Sequence, residues 1–136
     1  MRITLEWLKE QGACTASTTR FAREYPDGVD LTPSNIRNAA PRYDLYWLAL
    51  RILAPHKFDW FVEMTSDALR EYGDALRGAR RARENAIDSN REPRTLGIAW
   101  AAYEQTRQAA TEEYRRALAD ALITTLGLCT SQESRP

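Results

Sequence analysis

The amino-acid sequence predicts an all-α protein, and three observations carry that expectation. Alanine supplies twenty of the 136 residues, and no residue favours helix more strongly. Valine occurs only at Val29 and Val62 and isoleucine at six positions, so the β-branched material of a sizeable sheet is scarce. From about residue 56 onward apolar or small side chains recur at intervals of three and four, the period of one helix face. The expected organisation is a compact module of four to five short helices over 1–55, then a long antiparallel helical hairpin over 56–128 with its turn near 89–94, and a disordered tail over 129–136.

Local signals place each element. Thr4 can cap a first short helix carrying Leu5 and Leu8, and Gly12 is placed to end it in a left-handed conformation. A second helix should start between Thr15 and Ser17, set Phe21 and Tyr25 on one face, and stop before Pro26, because proline disfavours helical geometry in the residue ahead of it. Asp27-Gly28 makes a turn. Thr32-Pro33 is a cap and first-position pair for a third helix through Ile36. Pro41 can open a fourth helix over 42–54, apolar around most of its circumference, and Pro55 ends it and opens the next. Phe58, Phe61 and Val62 form a cluster with Trp60 at that start. After the turn formers from Ser89 to Pro93 a second series runs from Leu96 through Trp100, Tyr103, Ala110, Tyr114 and Ala121, with Gly127 as its terminator. Tyr103 and Tyr114 are eleven residues apart, about three turns, so both sit on one stripe, as seam filler or as an exposed docking stripe.

Charge and special residues narrow the chemistry. Nineteen basic and nineteen acidic side chains cancel, so no whole-molecule field steers the chain to nucleic acid or to an anionic membrane. Only Lys9 and Lys57 are lysines, an arginine- and alanine-rich usage expected of a high-GC bacterial or phage genome. The apolar stretches 45–50 and 52–54 are split by Arg51 and fall short of a membrane span. Cys14 and Cys129 lie far apart with no CxxC spacing, which predicts buried, reduced thiols and a cytoplasmic location. His56 is the one histidine, read as an exposed or capping side chain at a helix start, and a two-histidine metal site is excluded. No GxxxxGK[ST] or GxGxxG string is present. Carboxylate pairs such as Asp59/Glu63 and Asp67/Glu71 sit where a solvated helix face puts them, and Arg70 is spaced to pair with Asp67. The expectation is a chain that is not an enzyme and holds no cofactor or metal.

One charge cluster stands out. Arg77, Arg80, Arg81 and Arg83 follow one another with no acid between them, and the first three share a helix face able to meet an acidic protein surface or a phosphate backbone. Asp74, Glu84 and Asp88 lie within a turn and dilute the field. A helix-turn-helix reading of the first two helices would present Thr15, Ser17, Thr19, Arg20 and Arg23 to DNA, yet Trp7 and Leu8 occupy the stretch where such helices cross, and Glu6, Glu10 and Glu24 would face phosphate. Nucleic acid is therefore not expected as sole partner. The candidate partner-binding residues are Arg77, Arg80, Arg81, Arg83, Trp60, Tyr103 and Tyr114.

The string EWLKEQGAC at 6–14, then Phe21, YPDG at 25–28 and the Trp- and Leu-rich stretch 45–50, resembles the opening of small tailed-phage and prophage proteins with a WLKxxGAC-like start and an alanine-, tyrosine- and glutamate-rich helical tail. The likeness covers about the first 55 residues and, more loosely, the hairpin, where Gly73, Gly78 and the turn at Asn90 interrupt the repeats. It implies a phage accessory protein and carries no catalytic residues with it. The expected function is that of a non-catalytic phage-encoded protein that binds a host protein or nucleoprotein complex in the bacterial cytoplasm. The leading form is an anti-CRISPR-like inhibitor of a defence system acting by steric occlusion. A small helical DNA-binding regulator and a dimeric structural or assembly protein are the alternatives.

Overall fold

A computed structural model describes residues 1–128, and the expected tail from Cys129 lies outside the described residues. In chain order the elements are β1 (Arg2–Ile3), α1 (Leu5–Glu10), α2 (Thr15–Glu24), β2 (Val29–Asp30), α3 (Pro33–Ala39), α4 (Leu45–Ile52), α5 (Pro55–Ser89) and α6 (Pro93–Thr125). The fold is all-α: the described residues form six helices and one two-stranded antiparallel ladder, in which Arg2 faces Asp30 and Ile3 faces Val29.

The helix boundaries follow the capping residues. The Thr4 hydroxyl accepts from the Trp7 N–H and starts α1, and Gly12, at φ +80°, lets the chain leave it. Thr32 accepts from the Asn35 N–H and Pro33 fills the first position of α3. The fourth helix departs from expectation. It begins at Leu45, not at residue 42, because the Asp44 carboxylate accepts from the Trp47 N–H and caps it there. Pro41 instead sits in a turn in which the N–H groups of Arg42 and Tyr43 both reach the Ala39 carbonyl.

The β1–β2 ladder was not expected, and it turns on Gly28. This residue holds φ +85°, and a Cβ there would lie 2.8 Å from the Ile3 carbonyl oxygen, so only glycine lets the strands approach. Arg2 braces the same turn, donating to the Asp30 carboxylate at 2.9 Å and to the Asp27 carbonyl at 2.5 Å. Ile3, Leu8 and Phe21 form a buried cluster, with Trp7, Tyr25, Tyr43 and Trp47 packed against it. At its edge the Tyr43 hydroxyl donates to Glu24, which also pairs with Arg42 at 2.8 Å. Burial, and then that carboxylate acceptor, push the Tyr43 phenol up to about 12.

The chain divides into two compact units, Met1–Phe61 together with the segment that starts at Leu118, and Val62–Ala117. The boundary expected from the sequence lies at 55/56, with everything to 128 in the hairpin. The last turns of α6 differ from that picture: Leu118, Ala119, Ala121, Leu122, Ile123 and Thr125 are all buried, and they belong to the unit of the N-terminal helices. They surround their helix on most sides, where a hairpin helix would bury one stripe.

Within Val62–Ala117 the two long helices pack as an antiparallel hairpin. Tyr72 stacks on Tyr114 and Arg83 lies over Tyr103, so residues further along α5 meet residues earlier in α6. Only Thr65, Ala99 and Ala110 are buried there. Leu122 is 0% exposed and Leu69 52%. Replacing Leu122 by alanine should therefore cost about 2–5 kcal/mol of unfolding free energy, and the same change at Leu69 less than about 0.5 kcal/mol. Urea unfolding followed by circular dichroism measures both.

Candidate functional site

The four-arginine run does not form one surface. Residue 83 lies roughly 160° around the helix from residue 81 and about 120° from residue 77, but only about 60° from residue 80. Arg83 is half-buried and turns toward α6, while Arg77, Arg80 and Arg81 are exposed, Arg80 on the flank beside Arg83. Arg77 is paired with Asp74, one turn back. Arg80 and Arg81 have no ion-pair partner among the described residues, and Glu84 follows Arg80 by one turn, so the outer face is a solvated mixture of charges.

Arg83 is the centre of a different arrangement. Its guanidinium lies 4.5 Å from the centre of the Trp100 ring and 4.2 Å from that of Tyr103. The two rings meet edge to face, 6.2 Å apart at 84°. A guanidinium on aromatic faces gains from the ring quadrupole and keeps its stem dry. The indole is still 51% exposed, so it is oriented by its neighbours and left open to solvent. One turn on, Glu104 accepts two N–H groups of Arg107, at 2.8 and 3.2 Å. That hydrogen bonding holds the Glu104 carboxyl below its ordinary range, with a smaller contribution from Arg83, and raises Arg107.

The remaining predicted residues are placed separately. Tyr114 is half-buried and stacks on Tyr72 with ring centres 5.2 Å apart, which makes it filler of the hairpin seam. Trp60 is 47% exposed and does not join the aromatic cluster beside it, where Phe58, Phe61 and Tyr46 pack on one another. Of the predicted set, only Arg83 and Tyr103 are brought into contact. Trp100, which is not among the residues expected from the sequence, completes the group. The signal was present: folding the chain antiparallel about a turn near residue 91 sets position 83 against positions 100 to 103.

Cys14 corrects a second expectation, for it is exposed and not buried. It occupies the residue before α2, where the side chain points out to meet the helix start, and Ala13 takes the inward place against the core. Its sulfur lies 3.2 Å from the Ser17 hydroxyl. That hydroxyl first, and then the free N–H groups of Ser17 and Ala16, stabilise the thiolate and lower the thiol from its ordinary range, with a small opposing effect of desolvation. Cys129 lies outside the described residues. His56 is exposed in the first turn of α5. Arg70 pairs with Asp67 at 2.6 Å as its spacing implies. Arg20, one of the residues of the helix-turn-helix reading, donates to the Arg42 carbonyl at 2.7 Å. Among the described residues no three His, Cys, Asp or Glu side chains are grouped to hold a metal, and no helix is long and apolar enough to cross a membrane.

No protein-family model, no curated protein and no solved structure matches this chain.

The environment of Cys14 gives a measurable expectation. In a Cys129→Ser background the Cys14 thiol should react with iodoacetamide under native conditions. The pH at which its rate is half-maximal should lie below that of an unstructured cysteine peptide, because the thiolate is the nucleophile. Ser17→Ala should move that midpoint upward.

Proposed function

We propose that this chain is a non-catalytic binding protein whose principal protein-contacting surface is centred on Arg83, Trp100 and Tyr103 of the hairpin. One observation carries the reading: a half-exposed tryptophan held in place by a guanidinium and a second aromatic ring. Tryptophan, tyrosine and arginine are the side chains in which interface binding energy concentrates. A ring that is already oriented loses less conformational freedom on docking than a free one. Arg80 and Arg81, exposed on α5 near Arg83, would add attraction to an acidic rim and speed the encounter more than they tighten the complex.

The resemblance of the first 55 residues to tailed-phage proteins supports a phage-encoded inhibitor that occludes a host protein or nucleoprotein complex, of the anti-CRISPR kind and acting in the bacterial cytoplasm. Expressed in bacteria whose CRISPR system restricts a phage, the chain should restore plating of that phage. Trp100→Ala and Arg83→Ala should each abolish the restoration while leaving the helical circular dichroism unchanged. A surface hot spot of this composition loses about 2–4 kcal/mol of binding on truncation, which is thirtyfold or more in affinity. Unimpaired restriction with the wild-type chain would overturn the defence-inhibitor reading. A salt-dependent gel shift on plain duplex DNA, or a stable dimer by light scattering that Trp100→Ala dissociates, would replace it with a regulator or an assembly protein.

A further inference from the structure

The compact unit that contains the N-terminal helices has a partly open apolar cavity of about 290 Å³. At ~30 Å³ per water in the liquid this is room for roughly ten non-hydrogen atoms, at the lower end of the ~300–1,000 Å³ typical of small-molecule sites. Four aromatic rings wall it, those of Phe21, Tyr25, Tyr43 and Trp47, and aliphatic side chains from β1, α1, β2 and α3 fill the space between them.

The polar groups of the lining sort by charge. Cys14 and Ser17 are hydrogen-bonded to each other, and the Asn35 amide donates to the Asp30 carbonyl. The Tyr43 hydroxyl donates to Glu24, and the Tyr25 hydroxyl accepts from Arg42. Two carboxylates line the cavity, Asp30 and Asp44, and no lysine, arginine or histidine does. Asp30 is neutralised by Arg2. Asp44 accepts the Trp47 N–H at 3.1 Å and has no cation within ion-pairing distance among the described residues. An anionic ligand would therefore lose its hydration and meet a carboxylate of like charge. Arg42 lies over the Tyr43 ring and Arg51 over the Trp47 ring, so a cation would meet the ring faces left open, whose quadrupoles attract it, and the one unpaired carboxylate, Asp44, which is exposed.

We propose that this cavity binds a small hydrophobic amine, its apolar body against the four rings and its ammonium toward Asp44. The proposal is independent of the hairpin surface, because every lining residue belongs to the other compact unit.

Three probes of nearly equal size and different charge test it: 4-phenylbutylamine, 4-phenylbutanol and 4-phenylbutyrate, each titrated into the full-length protein by protein-observed NMR. The amine should shift the resonances of residues around the cavity and bind about tenfold or more tighter than the carboxylate, a charge preference worth ~1.4 kcal/mol, with the alcohol between them. Asp44→Asn keeps the helix cap, since asparagine caps as well as aspartate, and should weaken the amine severalfold while leaving the alcohol unchanged. Ala39→Leu places extra volume in the lining and should abolish binding of all three. The proposal is overturned if the amine produces no shifts at millimolar concentration, if the carboxylate binds as tightly, or if Asp44→Asn leaves the preference intact. Should Ala39→Leu fail to fold, the Asp44→Asn comparison decides alone.

Discussion

Apolar burial in this protein is concentrated at the two ends of the described chain. The N-terminal helices supply Ile3, Leu8, Phe21, Ile36, Leu45, Leu53 and Phe61, and the last turns of α6 supply Leu118, Leu122 and Ile123 to the same compact unit. The hairpin between them buries two alanines and a threonine. A pair of helices with so little apolar area removed from water gains little from packing, since that gain scales with the area. Its helicity rests on alanine propensity, on local pairs such as Asp67–Arg70 and Glu104–Arg107, and on continuity with helical turns buried in the other unit. The hairpin is thus free to expose side chains that a denser core would have claimed, and Trp100 is the clearest of them.

The same distribution explains which side chains hold fixed positions. In the hairpin, order comes from rings and guanidinium groups that cross the seam, Tyr72 on Tyr114 and Arg83 on Trp100 and Tyr103. In the N-terminal unit it comes from a connected polar network, in which Glu24 receives both the Tyr43 hydroxyl and Arg42, and Arg42 also reaches Tyr25 and the Asn38 carbonyl. Such networks specify one arrangement when every member is satisfied, and no buried side-chain polar atom among the described residues lacks a partner.

Much of the fold was legible because single residues act as punctuation. Thr4, Thr32, Pro33 and Pro55 start helices and Gly12 and Gly127 end them, each by a local mechanism that needs no knowledge of the rest of the chain, whereas Pro93, expected in the turn, opens α6. The fourth helix was misjudged where two such signals compete, Pro41 and Asp44, and only the three-dimensional setting chose the carboxylate. Strands of two residues have no periodicity to read, so β1 and β2 were invisible until Gly28 was seen against the Ile3 carbonyl. The last turns of α6 continue the three-and-four spacing of the hairpin without a break, and spacing alone cannot say that the helix has entered another core. For the candidate site, adjacency in sequence misled: Arg83 reads as one of four arginines, while helical geometry turns it away from Arg77 and Arg81 and toward Trp100. Cys14 was misplaced for a related reason, because thiols are usually buried and this one stands at a helix start.

The return of α6 to the first unit bears on how the chain is made in the cell. Synthesis delivers residues 1–61 long before it delivers 118–125, so the nascent polypeptide leaves the ribosome with an unfinished interior. Until residues 118–125 emerge, the first unit lacks a segment whose apolar side chains are buried within it, and exposed apolar surface of that kind invites chaperones or self-association. A product released before residues 118–125 would be a sticky fragment, whereas with them in place the first unit has both of its segments.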